Sequence, residues 1–370
     1  MDPLLAALRE LHIRGTKGEE LAFEELKQQT VRELKENERR VLEHLVRHHP
    51  PTWKHSFMVM HDAVWLAERL GLSADDVQAI RLAALCHDVG KLDIHPLLLD
   101  LPRSDHIAIC KKKHGRVLPG KLTKQFTLYD MILYLAAQAP NQQAARKLIR
   151  NFEQWLRERK LDDFLHRSAY EYLVHHQEAS ARILREYGID GRIIRYAATH
   201  HPEYLDAAKR KAAPRYAQLI TIADKFNAMI QSEGVRPYAN RLLRVEALTI
   251  ILHELKQDFH AGVFHSFARR ALAELAARHL PSGIVEELVP RVERSIGLLR
   301  RALKTQSFSP DAQAVREAQR LAAAIVAVLT LCDELHVTLE HHLLRTLDEY
   351  EEELLRLSGT VFHGIGTSVA

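Results

Sequence analysis

The sequence predicts an all-α protein. Apolar residues recur at three- and four-residue spacing through stretches such as LAFEELKQQTVRELKENERRVLEHLV (21–46), the pattern of an amphipathic helix. Alternating apolar–polar stretches long enough for strands are absent, and β-branched residues rarely cluster. No segment repeats at the periods of ~20–50 residues that mark solenoids.

Residues 1–50 form an N-terminal helical segment of one or two helices, closed by HHPPTW, where Pro50 and Pro51 end one helix and lead into the next. Residues 52–95 hold two helices joined by GLSADD, in which Gly71 stops the first and Ser73 caps the second. Residues 96–167 read as irregular at first and as helical from about 127. Regular helices return from Ser168 to about 268. Between 269 and 370 long charged amphipathic helices are expected, broken near PSG (281–283) and SFSPD (307–311). A flexible tail such as TVFHGIGTSVA follows.

The bulk composition narrows the class. With 46% apolar and 27% charged residues over 370 positions, the chain is ordinary globular material, long enough for two or three cores. No apolar run approaches the ~18 residues of a membrane span, and the charged N-terminus is not a signal peptide. Three scattered cysteines, Cys86, Cys110 and Cys332, make neither a disulfide framework nor a metal knuckle, which predicts a cytoplasmic protein. A net charge of +4 does not argue for duplex nucleic acid as a partner.

The 23 histidines matter through their placement. His55 sits beside an apolar stripe in TWKHSFMVMHDAVWLAERLGL, and LCHDVGK supplies His87 and Asp88. AYEYLVHHQEASARILREYGI supplies His175 and His176, and RYAATHHPEY supplies His200 and His201. Asp224 lies inside the apolar helix LITIADKFNAM. One such interruption is most simply a core histidine with a hydrogen bond. Several, mixing imidazole and carboxylate, share an economical solution, because buried polar groups need partners and metal ions would supply them all. Imidazole with carboxylate suits iron, manganese, nickel, cobalt or zinc, whereas calcium and magnesium prefer oxygen.

The order His, His-Asp with Gly-x-Lys, His, His-His, Asp resembles the HD superfamily of metal-dependent phosphohydrolases. More narrowly it resembles the HD-GYP branch, which hydrolyses cyclic di-GMP. HQEASARIL (176–184) is similar to that family's His-x3-Gly-x2-Ile-Leu helix with Ser180 in place of Gly, which selects His176 over His175. ITIADKFNAM followed by VRPY is similar to the Asp helix and its Arg-Pro-Tyr turn, and QDFHAGVFHSF (257–267) to the closing helix. His61-Asp62 is read as an unrelated pair on the outer face of the helix that bears His55.

The resemblance implies an HD-domain helical bundle at 51–268, with an inserted helical segment at about 96–165 and an additional C-terminal helical region at 269–370. It implies two divalent transition-metal ions, iron or manganese first, with nickel, cobalt or zinc as alternatives, about 3.5–4 Å apart. His55, His87, Asp88 and Asp224 would hold one, and His176, His200 and His201 the other, with Asp88 bridging. A hydroxide between the ions would attack phosphorus, Lys91 would lie near the scissile phosphate, and Arg236 would grip a second phosphate.

Three departures stand beside it. The Gly-Tyr-Pro signature is replaced by PEYLDAAKRKAAPRY with its basic residues Lys209, Arg210 and Lys211. Pro51 stands where members with a third metal have a carboxylate. The insertion contains the basic stretch CKKKHGRVLPGKLTK (110–124), read either as a lid or as a surface excursion. The expected activity is hydrolysis of a cyclic dinucleotide, cyclic di-GMP first. Another nucleotide or phosphoester is the alternative substrate, and a weakly catalytic nucleotide-binding regulator the alternative role. A homodimer or a protein partner through the C-terminal helices also stays open.

Overall fold

The computed structural model describes residues 2–9, 11–12, 17–117, 122–202, 205, 213–230, 242–258, 263–304 and 312–366. Among these residues the chain is all-α, with one isolated antiparallel bridge between Thr127 and Ser168. It divides into two compact units, Met1–Asn240 and Arg241–Ala370.

In the first unit, α1 (Pro3–Leu8) begins at Asp2, whose carboxylate accepts the Leu4 N–H at 2.9 Å. The amphipathic stretch 21–46 is split at Leu34–Lys35 into α2 (Lys17–Glu33) and α3 (Glu36–His48). His49 ends α3 and caps α4 (Pro50–Arg69): its Nδ1 accepts the Thr52 N–H at 3.3 Å, with Pro50 and Pro51 in the first turn, where a missing N–H is harmless. Helix α4 is the axis of the unit, with Trp53, Phe57, Met60 and Leu66 fully buried. The Trp53 indole donates to the Leu4 carbonyl at 3.1 Å, so the N-terminal segment packs into the same unit as α4. Gly71, at φ +71°, and the Ser73 cap place the start of α5 (Ala74–Cys86) where the sequence predicts it.

After α5 the chain makes a 3-10 turn, Val89–Asp93, and enters the insertion. The insertion is helical earlier than expected. Helices α6 (Pro96–Leu99) and α7 (Arg103–His114) precede α8 (Leu128–Ala137) and α9 (Gln142–Glu158). The faint amphipathicity of α7 hid it, although Pro102 before its start and Gly115 after its end, at φ +71°, mark both boundaries. Phe126, Met131, Ile132, Phe152 and Leu156 give the insertion a hydrophobic core that runs on to Ala169 and Tyr172. Helices α10 (Ala169–Val174), α11 (His176–Glu186), α12 (Gly191–Ala197) and α13 (Ala217–Ile230) complete the unit.

The second unit comprises α14 (Arg244–Asp258), α15 (Val263–Ser282), α16 (Val289–Lys304), α17 (Ala312–Leu335) and α18 (His341–Gly366). Helix α14 clusters with the C-terminal helices. It buries Val245, Leu248, Ile251 and Leu255 and packs on α15 and α17, and Arg320 on α17 donates twice to the Glu246 carboxylate at 2.8 Å. The expected break at 281–283 is also corrected. Pro281 lies within α15, and the backbone passes through a π-helical turn, Gly283–Leu288, into α16. Proline removes one ladder hydrogen bond, and a local π widening absorbs the loss without ending the helix. Helix α18 extends to Gly366, into the segment expected to be a flexible tail, while 367–370 and the break near 307–311 lie outside the described residues.

Candidate metal centre

Five elements bring the predicted histidines and aspartates together. Helix α4 contributes His55, and His87, the C-cap of α5, is followed by Asp88 at the start of the 3-10 turn. Helix α11 begins with His176, His200 and His201 follow α12, and Asp224 comes from α13. His55, His87, Asp88, His176, His200 and Asp224 are all buried, and His201 is partly so. Ring centroids are 4.9 Å apart for His87–His200, 5.6 Å for His55–His87 and 5.4 Å for His176–His201.

Three imidazoles share one hydrogen-bonding plan. The Nδ1 of His87 lies 2.7 Å from the Ala84 carbonyl, that of His176 2.7 Å from Leu173, and that of His200 2.6 Å from Ala197. A carbonyl can only accept, so the ring N–H sits on Nδ1 in each case. The Nε2 lone pair then faces the pocket. Those three Nε2 atoms are buried and make no hydrogen bond. Burying an acceptor with no donor costs about 1–3 kcal/mol each. A cation at the pocket centre would remove that penalty.

The carboxylates lie between the rings. Asp88 Oδ2 is 3.4 Å from His87 Nε2, and its Oδ1 is 3.6 Å from His176 Nε2, so its two oxygens face different histidines. Asp224 Oδ1 accepts from His55 Nε2 at 2.7 Å and lies 3.7 Å from His87 Nε2, while its Oδ2 is 3.7 Å from His201 Nε2. Donor atoms of His55, His87 and Asp224 lie within 4.8 Å of one another, as do those of His176, His200 and His201, and those of His87, Asp88 and His200. These are the separations that side chains around a common ion require, and the imidazole–carboxylate chemistry suits a divalent transition metal.

The electrostatics favour positive charge in the pocket. Burial works against ionised Asp88, yet Lys91 and the imidazoles of His87 and His176 hold it well below the usual carboxylate range. Burial likewise opposes ionised Asp224, and His55 and His87 overcome it. His87 is disfavoured as a cation by burial but pushed up to about 10 by Asp88 and Asp224. His176 is pushed down to about 4 by burial against the pull of Asp88, and His200 is driven well down by burial and its histidine neighbours. The pocket thus keeps anionic carboxylates beside neutral His176 and His200, the protonation states that bind metal, and at His87 a cation would take the place of the proton that the two carboxylates favour.

The backbone of the His87–Asp88 turn is held from α11. Ser180 Oγ donates to the His87 carbonyl at 2.8 Å and accepts the Gly90 N–H at 2.9 Å. A Cβ on Gly90 would stand 1.7 Å from the His176 carbonyl oxygen, so only glycine lets the turn lie this close to the helix. Thr221 Oγ1 donates to the His200 carbonyl at 2.6 Å, and Gln177 Nε2 to the Ala198 carbonyl at 2.7 Å. Sequence reasoning missed these three roles. A hydroxyl or amide interrupting a buried helical face was the signal.

Other predicted residues have different surroundings. Lys91 Nζ pairs with Asp88 Oδ2 at 2.5 Å. Arg236 and the cluster Lys209, Arg210 and Lys211 lie outside the described residues. His175 points toward Phe164 and Glu178, away from the other imidazoles. Pro51 is exposed in the first turn of α4. The outer-face placement of His61-Asp62 is corrected, since Asp62 is buried and accepts from Asn227 Nδ2 at 2.8 Å. Among the described residues no helix is long and apolar enough to cross a membrane.

Residues 52–151, about a quarter of the chain, match the HD domain family. The match assigns the chain to metal-dependent phosphohydrolase chemistry. It spans His55, His87 and Asp88 but stops before His176, and it does not distinguish the HD-GYP branch. No curated protein matches significantly. Among solved structures, the HD domain of the L. monocytogenes phosphodiesterase PgpH aligns at 18% identity and TM-score 0.35, covering 64% of this chain and 98% of that one. The same domain in complex with cyclic-di-AMP aligns at 18% identity and TM-score 0.34, covering 65% and 97%. Likeness at this level is too slight to bear on substrate.

Proposed function

We propose, from the premise that residues 52–151 are an HD domain, that the chain is a binuclear metal-dependent phosphodiesterase acting on a cyclic dinucleotide, with cyclic di-GMP as the first candidate. The observation that carries this reading is the trio of buried Nε2 atoms on His87, His176 and His200 that make no hydrogen bond, beside two ionised carboxylates. His55, His87, Asp88 and Asp224 would hold one ion and His176, His200 and His201 the other, with one oxygen of Asp88 near His87 and the other near His176. Bound ions of this class supply an acidified water and positive charge for the phosphoryl oxygens.

The chain's own residues do the rest. Asp224 orients the His55 ring by accepting from its Nε2 at 2.7 Å, and Asp88 places one oxygen near His87 and the other near His176. Carbonyls of Ala84, Leu173 and Ala197 fix three ring tautomers, as the outer partners of metal-binding histidines commonly do. Lys91 is tethered to Asp88 and would offer its ammonium to a substrate phosphate beside that carboxylate. Arg236 is proposed as a second phosphate contact.

One observation favours a second substrate class. PEYLDAAKRKAAPRY after His201 lacks the glycines of the Gly-Tyr-Pro loop, so another nucleotide or phosphoester is the runner-up. Metal analysis of the purified chain, followed by hydrolysis assays on cyclic di-GMP, cyclic di-AMP, a linear dinucleotide and nucleoside monophosphates with manganese or iron, separates the two. Turnover of the cyclic substrates supports the proposal, and turnover of monophosphates alone transfers it to the runner-up. Tight nucleotide binding without turnover marks a regulator. Uptake of no divalent ion removes the proposal altogether.

A further inference from the structure

We propose that Ser180 is a positioning residue of this centre: its hydroxyl locks the backbone turn that aims His87 and Asp88 into the pocket. The proposal rests on the metal-centre reading above and concerns a residue that replaces the glycine of the resembled family.

The His87 carbonyl lies at the C-terminal end of α5, where helix carbonyls lack an intrahelical donor, and the Gly90 N–H lies in the 3-10 turn that follows. One hydroxyl satisfies both. Ser180 Oγ gives its hydrogen to His87 O and accepts from Gly90 N, and Ser180 is fully buried, so water has no access to replace it. A helical serine ordinarily returns its hydrogen to the carbonyl four residues back, which here belongs to His176. Ser180 spends it across the interface instead.

The consequence is registration. His176 and Ser180 stand one helical turn apart on α11, so a single turn of helix carries a candidate ligand at one end and the clasp at the other. Gly90 closes the gap, lying against the His176 carbonyl with no room for a Cβ. Asp88 Oδ1 is thereby held 3.6 Å from His176 Nε2. Loss of the hydroxyl frees the turn to slide along α11 and spreads the donor atoms.

The test compares Ser180→Ala with Thr127→Ala in the full chain. Thr127 caps α8 in the insertion, so its loss lowers stability without touching the centre. Ser180→Ala is expected to weaken Mn2+ affinity roughly 10–100-fold and to speed hydrogen exchange at the Gly90 amide in metal-free protein. Thr127→Ala should lower the melting temperature and leave both readouts at wild-type values. Unchanged Gly90 exchange in Ser180→Ala, or an affinity loss no larger than that of Thr127→Ala, overturns the proposal. Ser180→Cys, near-isosteric with a weaker donor, carries the same comparison if the alanine variant does not fold. Wild-type protein that takes up no Mn2+ defeats the functional reading alone, and the exchange measurement still decides the role of Ser180.

Discussion

Two buried clusters within the first unit are built on opposite principles. The insertion packs Phe126, Met131, Ile132, Phe152 and Leu156 into an apolar core, with Thr127 and Asn141 capping its helices. The pocket framed by α4, α5, α11, α12 and α13 instead gathers imidazoles and carboxylates, and leaves the Nε2 atoms of His87, His176 and His200 without a hydrogen bond. The first arrangement gains free energy from burial alone, whereas the second is costly until charge is added. Variants in the apolar cluster should therefore change stability and leave metal stoichiometry untouched, whereas variants in the polar cluster should act through the metal.

The largest expected effect lies in the polar cluster. Asp88→Asn keeps the shape but removes the charge shared between the two histidine sets, and metal-dependent hydrolysis should fall about 1,000-fold or more, roughly 4 kcal/mol of transition-state stabilisation. Steady-state assays check this, and a variant with wild-type turnover would break the contrast. Phe152→Ala, in the apolar cluster, should cost about 3–4 kcal/mol of stability by denaturant melts. Below its melting point it should keep the wild-type metal stoichiometry.

Removing metal should have a smaller effect. An ion at 100 times its dissociation constant stabilises the folded state by about 2.7 kcal/mol, so a chelator should lower the melting temperature of wild type and leave that of Asp88→Asn nearly unmoved. The smallest effect concerns the entry to the insertion. His95 packs on Phe152 and Trp155, and burial with the nearby charges of His48 and Arg159 pushes it down from 6.5 to about 4. The unfolded chain then binds the proton more tightly, so stability is full above about pH 6.5 and declines as pH falls toward about 4. His95→Gln should flatten that part of the pH–stability curve, and an unchanged slope would assign it to other groups.

Much of the polar cluster was legible because polar residues interrupted apolar helical patterns at His55, His87-Asp88, His176 and Asp224. The caps at Ser73 and the double proline at 50–51 were legible for the same local reason, since each acts on backbone groups within one turn. Asp62 was misplaced because a single helix wheel cannot show that Asn227, 165 residues away, covers its outer side. Helix α7 escaped notice because its apolar residues scarcely favour one face.

Read along the chain, periodicity, capping and residue chemistry determined that the protein is helical and which side chains are suited to metal. Those are local properties, set over three or four residues. Which nitrogen faces the pocket, which oxygen of Asp88 meets which histidine and which hydroxyl clasps the turn were decided only in three dimensions. The contacts that settle them, His55 with Asp224 across 169 residues and Ser180 with His87 across 93, join groups whose orientation depends on how whole helices pack.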